Sequence, residues 1–441
     1  MEQFDRRIHS GETFLYREEG IESQIFEIRL KEKVIDSHVA TACRRAFKRY
    51  PYLNSRLRLH DDGHYYLDKN LTMPIPQRRK KLRPLGSVAT QWSIVDITFY
   101  GHSIYVAFHH GMCDGMGIMP FIKTLIYYYF VDRYPKKEFS VPDLRREKDP
   151  FLPGETADPA VEGNFSFDRD KVFAIDGRTA FRLPEVEGEG TDYCRWEISF
   201  DEEAFVNKGK ENGCSPVVFA SVMMQKAILS VNPDADKPIM SNVVCDWRKA
   251  LEVPNTFRNC VSCVYLPFSK EDLGTPVNEI GSRDKELLSK QRELDSARAN
   301  ASVIKWVSDK LESLPNQEAR EGMMKMMSGH VVDSFTMSYL GKANLGDLED
   351  YLDSIHIYTS GDKGLTIEMM AVDGKMILDL KQSFGKEDYV NALIGEFKKL
   401  GLEPLALSPR IDFEVPKDTT RKLGFFKRCG NWLIHRFSKS K

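Results

Sequence analysis

Between residues 32 and 50 the apolar side chains Val34, Ile35, Val39, Ala42, Cys43, Ala46 and Phe47 recur every three or four positions, with Arg44, Arg45, Lys48 and Arg49 between them. That period predicts an amphipathic helix, stopped at Pro51, whose ring cannot continue it. The period then changes to two. Residues 55–68 read as a hairpin, with Arg56-Leu57-Arg58-Leu59 against Tyr65-Tyr66-Leu67 around the turn pair Asp62-Gly63. Extended runs follow at 91–100 and 103–108 across Gly101. After a Gly-rich stretch comes an apolar helix over 118–134, closed by Pro135.

From 148 to 191 no period survives, because Pro150, Pro153, Pro159 and Pro184 and the glycines among them interrupt it; this reads as a crossover between two folding units. Beyond it the order repeats loosely. Extended 193–200 leads to a helix over 201–231, extended 239–246 and 260–268, and a long charged helical region over 281–327. Strands at 334–340, 354–358 and 365–380 follow, the last hinged at Asp373-Gly374, before a helix over 386–400. Strands alternating with helices in both halves predict an α/β, layered α+β fold, each half a mixed sheet with flanking helices. The expected divisions are a first domain over 1–160, a crossover over 161–190, a second domain over 191–415 and a tail over 416–441.

Composition narrows this picture. The chain has 441 residues, 41% of them hydrophobic, and 63 Lys+Arg against 65 Asp+Glu, for a formal charge of −2. That excludes a disordered chain, and it supplies no basic face for a whole-protein nucleic-acid binder, so no nucleic-acid partner is expected. The length accommodates two or three domains at about 100–200 residues each. Eight scattered cysteines do not form the dense spacing of a secreted scaffold and fit a reducing cytosol. The first seven residues are charged where a signal peptide needs an apolar core, and no uncharged apolar run approaches the ~18 residues of a spanning helix. A cytoplasmic protein is the expectation.

Candidate chemistry concentrates in Phe108-His109-His110-Gly111-Met112-Cys113-Asp114-Gly115-Met116-Gly117, at the end of an alternating strand and just before a helix. Strand ends are where α/β sheets display reactive groups, and an imidazole that is largely neutral near pH 7 can accept a proton. Asp114 could orient that imidazole directly, pair with a distant arginine, or cap the following helix. The glycines let the loop bend sharply, which favours a distant tether. Spacing alone does not choose among these, nor does it exclude histidines that merely hydrogen-bond.

His109-His110-x-x-x-Asp114-Gly115 matches the HHxxxDG signature of the chloramphenicol acetyltransferase-like superfamily, which takes in condensation domains, BAHD acyltransferases and alcohol or polyketide-associated O-acyltransferases. The chain resembles that superfamily over most of its length, through the helix ending in Lys48-Arg49-Tyr50-Pro51-Tyr52-Leu53-Asn54, the Asp62-Gly63 hairpin and the strand that precedes the motif. The resemblance implies two pseudo-equivalent domains with an active-site channel between them. It implies an acyltransferase that moves an acyl group from a coenzyme A thioester to a hydroxyl, or an amine, of a small-molecule or lipid-like acceptor. His110 would be the general base, and His109 and Gly115 would lie beside substrate. Asp114 would turn away to pair with an arginine of the other domain, which looks like Arg248 in Asn242-Val243-Val244-Cys245-Asp246-Trp247-Arg248. Met337-Ser338-Tyr339-Leu340-Gly341 resembles a stretch where related enzymes carry a serine or asparagine near the acyl carbonyl, making Ser338 a candidate oxyanion donor; read alone, it is as well an inward serine bonded to backbone. Acyl-CoA would be a co-substrate rather than a tightly bound cofactor, and no metal is implied because a thioester is already activated. The absence of a DFGWG loop points away from the BAHD branch, and a single HHxxxDG implies one site.

Two other readings compete: a condensation-type enzyme fed by an acyl carrier protein, and a noncatalytic binding module on the same fold. Other signals weigh less. Cys260 and Cys263 have redox or zinc spacing, but a strand would turn them to opposite faces. Cys113 in the motif reads as packing. The run Arg78-Arg79-Lys80-Lys81-Leu82-Arg83 could meet coenzyme A phosphates or an acidic carrier, or stand solvated. Residues 417–441 hold eight Lys/Arg and one Asp among Leu423, Phe425, Phe426, Trp432, Leu433, Ile434 and Phe437, a pattern suited to peripheral contact with an anionic membrane surface.

Overall fold

The structure, a computed structural model, describes residues 7–16, 23–166, 180–186, 192–328, 332–361 and 363–416; the basic tail lies outside them. The strands are β1 (Ser23–Leu30), β2 (Ser55–Leu59), β3 (Tyr65–Lys69), β4 (Gln77–Arg78), β5 (Val95–Tyr100), β6 (Ser103–His109), β7 (Cys194–Asp201), β8 (Ile239–Asp246), β9 (Val261–Phe268), β10 (Phe335–Lys342), β11 (Leu352–Ser360), β12 (Leu365–Val372), β13 (Lys375–Gln382), β14 (Ala406–Leu407) and β15 (Ile411–Asp412). The helices are α1 (Asp36–Arg49), α2 (Gly115–Arg133), α3 (Pro159–Glu162), α4 (Glu202–Glu211), α5 (Pro216–Val231), α6 (Val277–Gln291), α7 (Leu294–Glu312), α8 (Gln317–Ser328) and α9 (Asp388–Lys399).

Two sheets carry the fold. The first runs β11-β1-β6-β5-β4 and the second β14-β7-β13-β12-β10-β8-β9, with β15 also on β7. Pairing is mixed: β1 is antiparallel to β6 and β11, whereas β10 is parallel to β8 and β12. α1 buries Val39, Ala42, Cys43, Ala46 and Phe47, and Phe47 meets Phe121 of α2 with ring centroids 4.9 Å apart. α2, apolar nearly all round, lies inside the first core with β1, β5 and β6. A second core forms where α5 and α9 pack beside β7, β8, β12 and β13.

The helix anticipated over 201–231 is two. Gly213 takes a left-handed φ of +68°, and Pro216 starts α5 at its first turn, so α4 and α5 meet at a 76° bend. The charged region over 281–327 divides into α6, α7 and α8. Residues 91–94 are not extended: Gln91 and Trp92 both have positive φ after a one-turn 3-10 helix capped by Ser87. β1 answers to no anticipated element, although it pairs along its full length on both sides. The two sheets also do not divide at the crossover. β11, late in the chain, completes the first sheet beside β1. Among the described residues no single helix is long and apolar enough to cross a membrane; α4 and α5 qualify only jointly across their bend, and α5 is buried in the second core.

Candidate active site

β6 ends at His109, and the chain turns through residues 110–114 into α2. Asp114 is the N-cap of α2, with φ −100° and ψ 179°, and its Oδ1 accepts the Gly117 amide at 2.8 Å. Such a cap satisfies one of the donors that the first helical turn leaves open. Asp114 is buried, and its remaining bonds reach across the molecule. Nη2 of Arg248 donates to Oδ1 at 2.8 Å, and the Cys260 amide donates to Oδ2 at 2.8 Å. Of the three roles open to Asp114, cap and arginine partner are both filled. Arg248 is itself saturated: Nε donates to the Thr256 carbonyl, Nη2 to that of Arg258 and Nη1 to Asp246 Oδ1. Burial works against its charge, but Asp114 and Asp246 outweigh that and hold the guanidinium above its ordinary pKa.

Gly117 explains how closely these pieces meet. A Cβ there would sit 2.0 Å from the Phe257 carbonyl oxygen, so α2 lies against the 256–260 loop with no room for a side chain.

The His110 ring lines a cavity of about 360 Å³ bounded by the motif loop, residues 9–14, β8, β9, β10 and α7. Its Nδ1 stands 3.2 Å from the Cys113 carbonyl. A carbonyl only accepts, so this bond assigns the ring proton to Nδ1 and leaves Nε2 as the basic nitrogen of the neutral ring. Asn259 Nδ2 donates to the His110 carbonyl and stands 3.5 Å from Nδ1, at the outer edge of hydrogen-bonding range. Phe14 stacks on the imidazole with centroids 4.1 Å apart and planes 8° from parallel. The segment carrying Phe14 crosses the motif in backbone contact, a Cβ on Gly11 falling 2.1 Å from the Gly111 carbonyl oxygen. Asp158 anchors it by accepting the His9 and Ser10 amides at 3.2 and 3.1 Å.

Gly115 and Ser338 line the same cavity as His110, Ser338 from β10. His109 does not. It is buried at the strand end, and its Nδ1 accepts the Gly111 amide at 2.9 Å, which shapes the loop and removes it from the substrate-contacting set anticipated above. Cys113 is buried in the first core, and burial and the neighbouring Asp114 push its thiol well up, which disfavours a thiolate there. Cys260 is buried and Cys263 part-exposed, and the two are not joined in a disulfide. Much of the basic run has structural partners: Arg78 pairs with Asp36, Lys81 with Glu414 at 2.9 Å, and the buried Arg83 with Asp96.

Sequence reasoning missed Glu12, Phe14, Asn242 and Asn259, all of which line the cavity. Asn242 opens the stretch quoted above for Arg248 without being singled out there, and the other three sit in no local pattern; all arrive through tertiary contact.

A second polar cluster lies between the sheets. Arg195 of β7 donates to Glu27 of β1 at 2.8 Å and to Asp379 of β13 at 3.0 Å, and its guanidinium lies 4.1 Å from the Tyr358 ring centre. Arg29 binds Glu197, and His356 Nδ1 lies 2.9 Å from Asp379. Glu197, His356 and Asp379 bring one ligand atom each within 4.8 Å of one another. Guanidiniums already occupy those carboxylates, which supply the positive charge a cation would bring.

No family model and no curated protein sequence matches the chain. Solved structures do. Polyketide synthase associated protein 5 from Mycobacterium tuberculosis superposes with a TM-score of 0.56 at 14% identity, over 88% of this chain and 96% of its own. TRI101 from F. graminearum, complexed with ethyl coenzyme A, gives 0.60 at 11% identity over 91% and 100%. The chain has the chloramphenicol acetyltransferase-like fold. The nonribosomal peptide synthetase FmoA3 contains the same architecture, with a TM-score of 0.57 at 14% identity over 90% of this chain and 42% of the synthetase.

Proposed function

We propose that the protein is an acyltransferase that moves an acyl group from a coenzyme A thioester to a hydroxyl or amine, with His110 as general base. The observation that carries this is the hydrogen bond from His110 Nδ1 to the Cys113 carbonyl, in a ring that faces the cavity. It leaves Nε2 to take the acceptor's proton. As that proton moves to Nε2, the acceptor oxygen or nitrogen attacks the thioester carbon and a tetrahedral oxyanion forms. Ser338, across the cavity on β10, is the proposed donor to that oxyanion. Collapse breaks the carbon–sulfur bond, and the imidazolium returns its proton to the departing thiolate. Phe14 holds the ring plane, while the Asp114–Arg248 pair fixes the loop and takes no proton.

Coenzyme A as donor is supported by TRI101, whose structure holds ethyl coenzyme A. The FmoA3 likeness favours a second reading, in which the thioester arrives on a carrier protein. Thiol release from acetyl-CoA and longer acyl-CoAs, with an alcohol and amine panel, tests both. His110→Ala is expected to slow acceptor-dependent release by about 10²–10⁴-fold; unchanged release would remove His110 as the base. Product from an acylated carrier but from no acyl-CoA would favour the second reading.

A further inference from the structure

The second sheet presents one face to its core and the other to the cavity. In β8 and β9 the side chains of Val243, Cys245, Val264 and Leu266 enter the second core, and in β10 and β12 those of Met337 and Ile367 do. Strand alternation therefore turns Val244, Val261, Ser338 and Glu368 to the opposite face, and all four line the cavity. Along the strand order β12-β10-β8-β9 that face changes character. Thr336 lies opposite Thr366 and Ser338 opposite Glu368, which makes a polar end. β8 is transitional, with Val244 between Asn242 and Asp246, and β9 brings Val261. Beside β9 packs α7, which continues the apolar side. Val303, Ile304 and Val307 share one face of that helix by their spacing and line the cavity. Val307 is buried and Val303 is 43% exposed, so the stripe runs from the interior to the surface.

We propose that the α7 side of this cavity holds an aliphatic chain, carried on the transferred acyl group or on its acceptor, and that Val303 sets how much a longer chain gains. The inference rests on the acyltransferase reading only in naming that molecule a substrate. Each methylene withdrawn from water onto the stripe is worth about a three- to fourfold gain in affinity, so discrimination by length follows from the stripe itself. An ionised group laid there gains nothing from the valines and loses its water. The polar end suits the reacting centre instead, because Ser338 stands there and the His110 ring lines the same space. A chain with a polar head therefore has one orientation that satisfies both ends: its head at β10 and its tail along α7 towards Val303.

Two unreactive series, titrated against the full chain by calorimetry and saturation-transfer NMR, test this without turnover. Ethyl-, butyl-, hexyl- and octyl-coenzyme A thioethers report a chain on the acyl side; butanol, hexanol and octanol report one on the acceptor side. Affinity is expected to rise by about threefold per methylene in at least one series, and the series that rises identifies which substrate carries the chain. Val303→Asp places a charge where the stripe meets solvent and should cut the octyl-over-butyl preference by about threefold or more, whereas Val303→Leu should keep it. Thermal melting checks that both variants fold. Affinities independent of length in both series, a length preference that Val303→Asp leaves unmoved, or no measurable binding of any member would overturn the proposal. The acyltransferase reading fails separately, through thiol release indifferent to His110→Ala.

Discussion

Arg248 donates to Asp114 at 2.8 Å across 134 residues of chain, joining the start of α2 to the loop that follows β8. The two charges are buried, and Asp114 also holds the Gly117 and Cys260 amides. Each partner therefore leaves the other costly when removed. Arg248→Met should lose about 3–5 kcal/mol of stability, because it strands the buried Asp114, and Asp114→Asn should lose less, because Arg248 keeps Asp246 at 3.0 Å. The double variant should lose less than the sum by about 1–3 kcal/mol. A urea-denaturation cycle measures the coupling, and additive losses would show that the pair does not act as a unit.

Much of this was legible in the chain itself. The helix ending at Pro51, the Asp62-Gly63 hairpin and the His110–Asp114 loop all announce themselves locally, because periodicity, turn residues and capping act over a few positions. β1 did not, although Phe26, Ile28 and Leu30 alternate correctly; its neighbours β6 and β11 lie 74 or more positions away in register, as Ser103 opposite Arg29 illustrates. The wall formed by Glu12, Asn242 and Asn259 is of the same kind. The three come from segments remote in sequence, and only the fold brings them to one cavity.

Gly117 offers a sharp contrast with Gly395. Both are helical, and helix propensity alone favours alanine by about 1 kcal/mol at either position. At Gly395 nothing lies within 4 Å of an added Cβ, whereas at Gly117 it would meet the Phe257 carbonyl oxygen at 2.0 Å. Gly395→Ala should raise stability by about 0.5–1 kcal/mol. Gly117→Ala should lower it by about 1–3 kcal/mol and depress acyl transfer, since α2 must shift against the loop that carries Asn259. Thermal and urea unfolding of the two variants decide it, and equal effects would refute the close approach.

Glu12 should make stability fall as pH rises. Its folded pKa of about 7 exceeds the ordinary 4.5, so the folded chain holds the proton more tightly than the unfolded one. The contribution is fully present below the unfolded value and is lost as pH rises through the folded one. Glu12→Gln keeps a neutral side chain at every pH. Relative to the parent it should show little change near about pH 4, and a gain on the order of 1–3 kcal/mol by about pH 8. Denaturation midpoints across that range measure the difference, and a pH-independent difference would sink the assignment.

Arg195 should behave in the opposite sense. It is buried and serves Glu27 at 2.8 Å, Glu197 at 2.8 Å and Asp379 at 3.0 Å, so it ties β1 of the first sheet to β7 and β13 of the second. Burial alone would raise the Glu27 carboxyl, but Arg195, Arg29 and His356 together lower it to about 2. A depressed carboxylate contributes stability above its unfolded pKa and loses it as pH falls through the folded one. Arg195→Ala leaves Arg29 on Glu27 and Glu197 and His356 on Asp379, too little positive charge for three buried acids. The variant should lose about 3–5 kcal/mol near neutrality. That loss should shrink as pH falls from about 4.5 towards 2, where protonation removes the charges that need a partner. Because the cavity that His110 faces is walled by elements of both sheets, acyl transfer should decline along with stability. Parallel urea curves at neutral and acid pH measure the effect, and a penalty that persists undiminished in acid would mean that Arg195 acts by packing on Tyr358 and not by its charge.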